Sequence, residues 1–301
     1  MATGLLFSGQ GAQRVGMGRT FHDNSPTARA WYDEANTVLG YDLKKLCFEG
    51  PEEDLTQTRV CQPALYVHGY VAFKLLEERG GLADCQTALG LSLGELTALA
   101  AAGVFDFATG LKLVAARANL MQEACAATRG GMAALIGGDR TGVEALCREC
   151  DVDMANLNSP GQIVVSGECE KIDQVVAVAR SKGFKMAVPL KVAGAYHSRL
   201  MARASAAFAE VLRPVPFQTP RWTVFTNVTG RPVRAAEEIK SALVRQIVSS
   251  VLWEDCQRAA LALGITEFYE CGPGAVLAGF AKRIDKAIVV KPASEWAEID
   301  G

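Results

Sequence analysis

The stretch Ala88-Leu89-Gly90-Leu91-Ser92-Leu93-Gly94-Glu95 decides how this chain is read. It places a Gly-x-Ser-x-Gly pattern directly behind an apolar pair and directly ahead of a small-residue segment of helical character, Leu96 to Ala102. That order predicts a strand, a sharp turn and a helix, with the serine hydroxyl lifted to the end of a sheet. Glycines two residues to either side let neighbouring backbone pass close by. The helix beginning there aims free N–H groups at the space above the hydroxyl, where an oxyanion would form. Covalent acyl chemistry on Ser92 is the function class this points to. The pattern alone is a common accident, so its context and partners must carry the reading.

The chain of 301 residues is long enough to bury a large core. Half of its residues are hydrophobic and spread along the whole length, as in ordinary α/β proteins. A net charge of −2 argues against nucleic acid, which requires a basic footprint. No apolar run reaches the ~18 residues of a membrane span. The N-terminal region runs straight into a strand-like Leu5-Leu6-Phe7 without a secretory or transit pattern, so a cytoplasmic setting is expected. Nine cysteines, scattered through apolar segments, fit reduced buried thiols better than a disulfide frame. Cys147-Arg148-Glu149-Cys150 spells C-x-x-C, but only Cys169 lies nearby as a further ligand, and no metal site is expected.

Strands alternate with helices. A strand at 4–7 leads into the glycine-rich loop 8–13, and helical patterns cover about 27–39 and 62–79. The elbow strand at 85–90 follows, then a helix over 107–127 capped by Asp106. Between 131 and 191 the order becomes strand, helix, strand, strand, helix, strand (132–136, 142–149, 152–157, 162–166, 170–182, 184–190), which is the βαββαβ unit of ferredoxin-like folds. Glycines 130, 131 and 194 flank it. The expected architecture is α/β: an α/β-hydrolase-like core with a mostly parallel sheet, formed by 1–129 and 192–301, plus an inserted ferredoxin-like subdomain at 130–191. A helix at about 198–212, strands at 222–228 and 265–270 and a last strand at 288–290 complete it. Sites in such sheets lie at the C-terminal ends of the strands, where Gln10, Ser92 and the Gly272-Pro273-Gly274 turn fall.

A serine nucleophile needs a base, and there are three histidines. His68 sits within a mostly apolar helical run and reads as a satisfied core histidine; His22 lies in a polar loop and reads as surface or capping. His197 stands where the chain leaves a strand-like segment and enters a helix, a usual place for a base. No acid is positioned as its orienter, which fits a dyad aided by a backbone carbonyl. Arg117 is mid-helix among small and apolar residues. It either snorkels to solvent or binds a substrate carboxylate bidentately, and spacing leaves both open. The loop Gly9-Gln10-Gly11 is no dinucleotide fingerprint, because position 14 is Arg and no suitable βαβ unit follows.

Taken together, several motifs resemble the malonyl-CoA:acyl carrier protein transacylase family, the acyltransferases of fatty-acid and polyketide synthesis. They are Phe7 to Gln13, Gly90 to Glu95, Arg117 with Met121-Gln122, Asn156 to Gln162, Ala195-Tyr196-His197-Ser198 and Gly272-Pro273-Gly274. The resemblance runs nearly end to end. It implies Ser92 as nucleophile, His197 as base, the N–H groups of Gln10 and Leu93 as oxyanion hole and Arg117 as clamp for the free carboxylate of malonate. Asn158 would line the thioester channel, and Tyr196 is of the type found with malonyl selectivity. The implied reaction is ping-pong transfer of malonyl from malonyl-CoA to the phosphopantetheine thiol of acyl carrier protein in fatty-acid biosynthesis, without a cofactor. Acyl carrier protein is the implied partner. Neither nucleic acid nor membrane is expected, and a monomer is the simplest state. The alternatives are a serine thioesterase, a trans-acting acyltransferase of polyketide synthesis, or a non-catalytic docking module. Three positions depart from the family pattern: Leu91 stands where His is common, Ser8 where Pro is, and Leu252 where Gln is found near the catalytic histidine. A basic face of Arg180, Lys182, Lys185 and Lys191 is a candidate receiver for an acidic carrier protein.

Overall fold

The computed structural model describes residues 2–300. Among these residues ten strands form two sheets: β1 (Thr3–Phe7), β2 (Cys85–Gly90), β3 (Gly130–Ile136), β4 (Asp153–Ser159), β5 (Gln162–Glu168), β6 (Met186–Pro189), β7 (Thr223–Thr226), β8 (Arg231–Val233), β9 (Glu267–Cys271) and β10 (Val289–Pro292). The first sheet runs β10-β9-β1-β2-β7-β8, and all its pairs are parallel except the β7–β8 hairpin. Its central strand, β1, carries the continuous apolar run Leu5-Leu6-Phe7. Helices cover both faces of a parallel sheet, so a central strand is buried on both sides and alternation disappears.

The second sheet runs β4-β5-β3-β6 and is antiparallel throughout. Here the period of two returns. Ala133, Leu135, Ile163 and Val165 pack beneath the helices Arg140–Cys150 and Cys169–Val178, while Met132, Ala134 and Val164 face the core of the larger lobe. The fold class is therefore the expected one: an α/β core with a mostly parallel sheet and a second, ferredoxin-like sheet contributed by one inserted stretch of chain. The two lobes are stitched together by backbone. Leu157 N–H donates to the Val251 carbonyl at 2.9 Å, and Val251 N–H returns to Ala155 at 2.8 Å.

Several elements differ in extent from the sequence reading. The helix expected over 170–182 tightens into a 3-10 turn at Ala179–Lys182 and stops at Gly183, whose φ of 90° only glycine adopts freely. The strand expected over 184–190 is paired only at Met186–Pro189, because Phe184 turns inward beneath the helices. Helices at Leu43–Glu49, Glu52–Thr56, Ala236–Gln246 and Trp253–Ala262 were not anticipated; they are short, and their apolar faces are broken by polar residues. Among the described residues no helix is long and apolar enough to cross a membrane.

Candidate active site

The elbow is built by backbone crowding. β2 ends at Gly90 and the Leu93–Ala101 helix begins one residue beyond Ser92. A Cβ on Gly90 would collide with the Gly94 carbonyl, and one on Gly94 with the carbonyl of Phe7, so both glycines are sterically required. Between them Ser92 takes φ 52°, ψ −106°. Among the described residues only three non-glycine residues have positive φ, and the other two are Asp151 and His197 (φ 57°). Such conformations cost about 1–3 kcal/mol each and persist only where the surroundings over-determine them. Two of the three are the serine and histidine singled out from sequence.

The two side chains meet. His197 Nε2 lies 2.8 Å from Ser92 Oγ. Its Nδ1 lies 2.8 Å from the backbone carbonyl of Gln246, which can only accept, so Nδ1 carries the proton and Nε2 offers its lone pair to the hydroxyl. The orienting group is thus a carbonyl, at Gln246 and not at Leu252. Leu252 instead caps the Trp253–Ala262 helix and donates its N–H to Asn227. Burial, reinforced by the Arg117 charge, pushes the His197 pKa down to about 4, while the backbone at Gln246 and Ser249 pulls weakly the other way. At neutral pH the imidazole is therefore neutral, the state a base requires.

Arg117 does not snorkel. It is 1 % exposed, and its helix, Phe107–Ala127, points it at the elbow. The guanidinium donates to Gln62 Oε1 at 2.6 Å, Gln246 Oε1 at 2.9 Å and Ser92 Oγ at 3.2 Å, and its Nε–H has no partner. Burial lowers its pKa to about 10, so it stays cationic. Among the described residues its hydrogen-bond partners are neutral oxygens and the Glu95 carboxylate acts on it only through space, so a buried cation stands ready beside the serine. A ligand carboxylate is the natural complement to that charge.

A cavity of about 330 Å³ opens above Ser92 and His197; Arg117 is not in its lining and reaches it through its bonds to Ser92 Oγ and to Gln62, which both line it. Ser92, His197, Gln10, Asn158 and Tyr196 line it, together with Leu91, Met132, Val164 and Leu190; Lys191 sits at its edge. The N–H groups of Gln10 and Leu93 donate to no acceptor among the described residues, which leaves both free for an oxyanion. Asn158 is buried with its Oδ1 unpartnered. The Tyr196 hydroxyl hydrogen-bonds Thr58 Oγ1 and the Gln10 side chain, and burial raises its pKa to about 12. Leu91, in place of the common histidine, faces the cavity and packs against the core cluster around Leu277 and Phe280.

Three polar residues at the centre of the site were not singled out beforehand. Gln62, Asn227 and Gln246 are all at most 1 % exposed. Gln246 alone orients His197 through its carbonyl, accepts from Arg117 through Oε1 and donates through Nε2 to the Ser92 carbonyl and Glu95. Glu95, buried below the elbow, has its pKa pushed up to about 7 by burial, opposed by the Asn227 N–H and the Gln246 amide. Their one sequence signal is an uncharged amide set in an apolar context, as in Cys61-Gln62-Pro63-Ala64.

The remaining candidates lie apart. His68 is fully buried, yet both its ring nitrogens lack a hydrogen-bond partner, so it is not the satisfied core histidine expected; burial pushes its pKa to about 3 and its ring packs at a tilt against Phe21. His22 is not in a loop as expected but in the last turn of a short helix, Arg19–Asn24, beside Asp23. Cys147 and Cys150 are buried free thiols, and among the described residues no group of three or more His, Cys, Asp or Glu could hold a metal ion. In the basic face, Lys182 is paired with Glu149.

A hydrogen-bonded serine and histidine at the C-terminal edge of a parallel sheet, under unpaired N–H groups, define an α/β enzyme of the serine acyl-transfer class. The comparisons narrow this. The model of the acyl transferase domain family matches residues 5–293. Malonyl CoA-acyl carrier protein transacylase of Escherichia coli K12 is 37 % identical over 295 residues, covering 97 % of this chain and 95 % of the relative. An acyl-carrier-protein-S-malonyltransferase from Bartonella henselae superposes with a TM-score of 0.96 at 36 % identity, covering 100 % of this chain and 98 % of that one. So does a malonyl-transacylase solved in complex with its type II polyketide acyl-carrier protein (TM-score 0.96, 36 % identity, 100 % and 98 % covered). The chain belongs to the acyl transferase domain family, and within it to the malonyl-CoA:acyl carrier protein transacylases.

Proposed function

We propose that this protein transfers malonyl from malonyl-CoA to the phosphopantetheine thiol of acyl carrier protein, by way of a malonyl ester on Ser92. His197 Nε2 takes the hydroxyl proton as Ser92 Oγ attacks the thioester carbon. The oxyanion rests on the N–H groups of Gln10 and Leu93. Collapse breaks the C–S bond, and the proton held by His197 leaves with the CoA thiol. The carrier thiol then gives its proton to His197 and attacks the ester, and Ser92 recovers its proton as it departs. Arg117 holds the free carboxylate of the malonyl group throughout, while Asn158 and Tyr196 line the path of the thioester arm. Each step moves one acyl group and one proton between these residues and the two substrates, so the cycle calls for no cofactor. Fatty-acid biosynthesis in the cytoplasm is the proposed setting.

The observation that carries this reading is the convergence on one hydroxyl of a neutral imidazole at 2.8 Å and a buried guanidinium at 3.2 Å. A thioesterase would use the first and has no need of the second. The test is to incubate the enzyme with malonyl-CoA in the presence and absence of acyl carrier protein. Malonyl-carrier formation much faster than release of free malonate supports the proposal; release that ignores the carrier overturns it.

A further inference from the structure

The turn that presents Ser92 is held from below by a residue that touches neither acyl group nor solvent. Asn227 follows β7, is fully buried, and is absent from the cavity lining. Its Oδ1 accepts the Ser92 N–H at 2.7 Å, and its Nδ2 donates to the Gly90 carbonyl at 2.9 Å. Among the described residues the Ser92 N–H has no backbone acceptor. One planar amide therefore spans the backbone on both sides of Leu91, one acceptor facing the exposed donor and one donor facing the exposed acceptor. An aspartate could supply only the first, and an apolar residue neither. The Asn227 backbone is itself pinned: its N–H donates to Glu95 Oε2 at 2.9 Å and its carbonyl accepts from Leu252 at 2.8 Å. These bonds anchor the strand end to the elbow helix and to the Trp253–Ala262 helix.

We infer that Asn227 is a positioning residue for acyl transfer: its side-chain amide clasps Gly90 and Ser92 and so holds the serine in the positive-φ conformation that aims Oγ at His197. The inference rests on Ser92 being the acyl acceptor. It separates from the role of Arg117, because a misaimed hydroxyl penalises every acyl donor equally, whereas a lost clamp penalises only donors with a free carboxylate.

The experiment compares Asn227→Leu, Asn227→Asp and wild type in loading from malonyl-CoA and from acetyl-CoA, with Arg117→Ala as the contrasting variant. Misplacement of a reacting atom by about 1 Å is enough for a loss of roughly 10²-fold. Asn227→Leu is expected to lower kcat by about that factor for both donors, with each KM within about threefold and the malonyl-to-acetyl ratio unchanged. Asn227→Asp, which keeps the acceptor, should fall between Leu and wild type. Reaction of Ser92 with a sulfonyl fluoride should slow in step with kcat. An Asn227→Leu enzyme of wild-type kcat, or a loss confined to KM or to one donor, overturns the inference. Should neither variant fold, amide hydrogen exchange of wild-type enzyme decides: the Ser92 N–H is expected to be protected, and exchange at the rate of an open loop amide overturns the clasp. Failure of the wild type to take malonyl at all would instead overturn the functional reading.

Discussion

The two sheets face one cavity but contribute to it differently. The parallel sheet supplies geometry. Ser92 leaves the end of β2, Asn227 follows β7 and Gln10 follows β1, and the hydrogen bonds among the reacting groups all run between that sheet, its helices and its loops. The antiparallel sheet supplies surface. Met132, Asn156, Asn158 and Val164 line the opposite wall, and none of them bonds Ser92, His197 or Arg117. The strained residues used by the site, Ser92 and His197, both lie outside the antiparallel strands. The buried parallel layer can hold a disfavoured backbone because it constrains it from several sides.

Substitutions on the two walls should therefore differ in size and in kind. Ser92→Ala removes the attacking oxygen and is expected to abolish the acyl adduct, with His197→Ala losing roughly 10²–10⁴-fold in loading rate; rates on the second wall as low as these would erase the contrast. Arg117→Ala comes next. Truncating one partner of a desolvated charge pair costs about 2–5 kcal/mol, so malonyl loading should drop by roughly 30-fold to a few thousandfold while acetyl loading changes little. Competition between the two CoA esters measures it, and parallel losses would mean that the arginine only supports the fold. On the antiparallel wall, Asn158→Ala removes one neutral hydrogen-bonding group worth about 0.5–1.5 kcal/mol. A rise of about 2- to 10-fold in KM for malonyl-CoA with kcat preserved is expected from steady-state kinetics.

The smallest effect is one of pH. The base works in its neutral form, and burial has moved its pKa from 6.5 to about 4. Loading should stay flat through the neutral range and fall only as pH approaches about 4; an acid limb near 6.5 would show an exposed imidazole instead. The same shift has a consequence for stability. Between 6.5 and about 4 the unfolded chain binds a proton that folded His197 refuses, so the contribution of His197 to stability is full above 6.5 and declines as pH falls through that window. His68, held at about 3, extends the loss further down, and denaturant titrations across this range measure both.

The contrast between the walls also explains what could be read from the letters. The elbow was legible because its glycines answer a local steric demand that is visible five residues at a time. His197 was legible by elimination among three histidines and by its place between a strand-like segment and a helix. The second sheet was legible from the order of its elements, strand, helix, strand, strand, helix, strand between 131 and 191, with glycines on either flank. Arg117 was half legible: a charge amid small residues announces something, but only the fold shows that its helix turns it inward. Gln62, Asn227 and Gln246 were illegible, because an uncharged amide has no periodicity and its value lies in groups brought near by the fold. The glutamine sought at Leu252 is instead six positions earlier, at Gln246, where the end of the Ala236–Gln246 helix delivers its carbonyl to His197.

The most direct test of the account is intact-mass and peptide mapping of wild type and Arg117→Ala after exposure to an equimolar mixture of malonyl-CoA and acetyl-CoA. Wild type is expected to carry a single adduct, on Ser92, almost wholly malonyl, and Arg117→Ala to carry mainly acetyl on the same serine. An adduct on another residue, or equal malonyl and acetyl on wild-type Ser92, would contradict it.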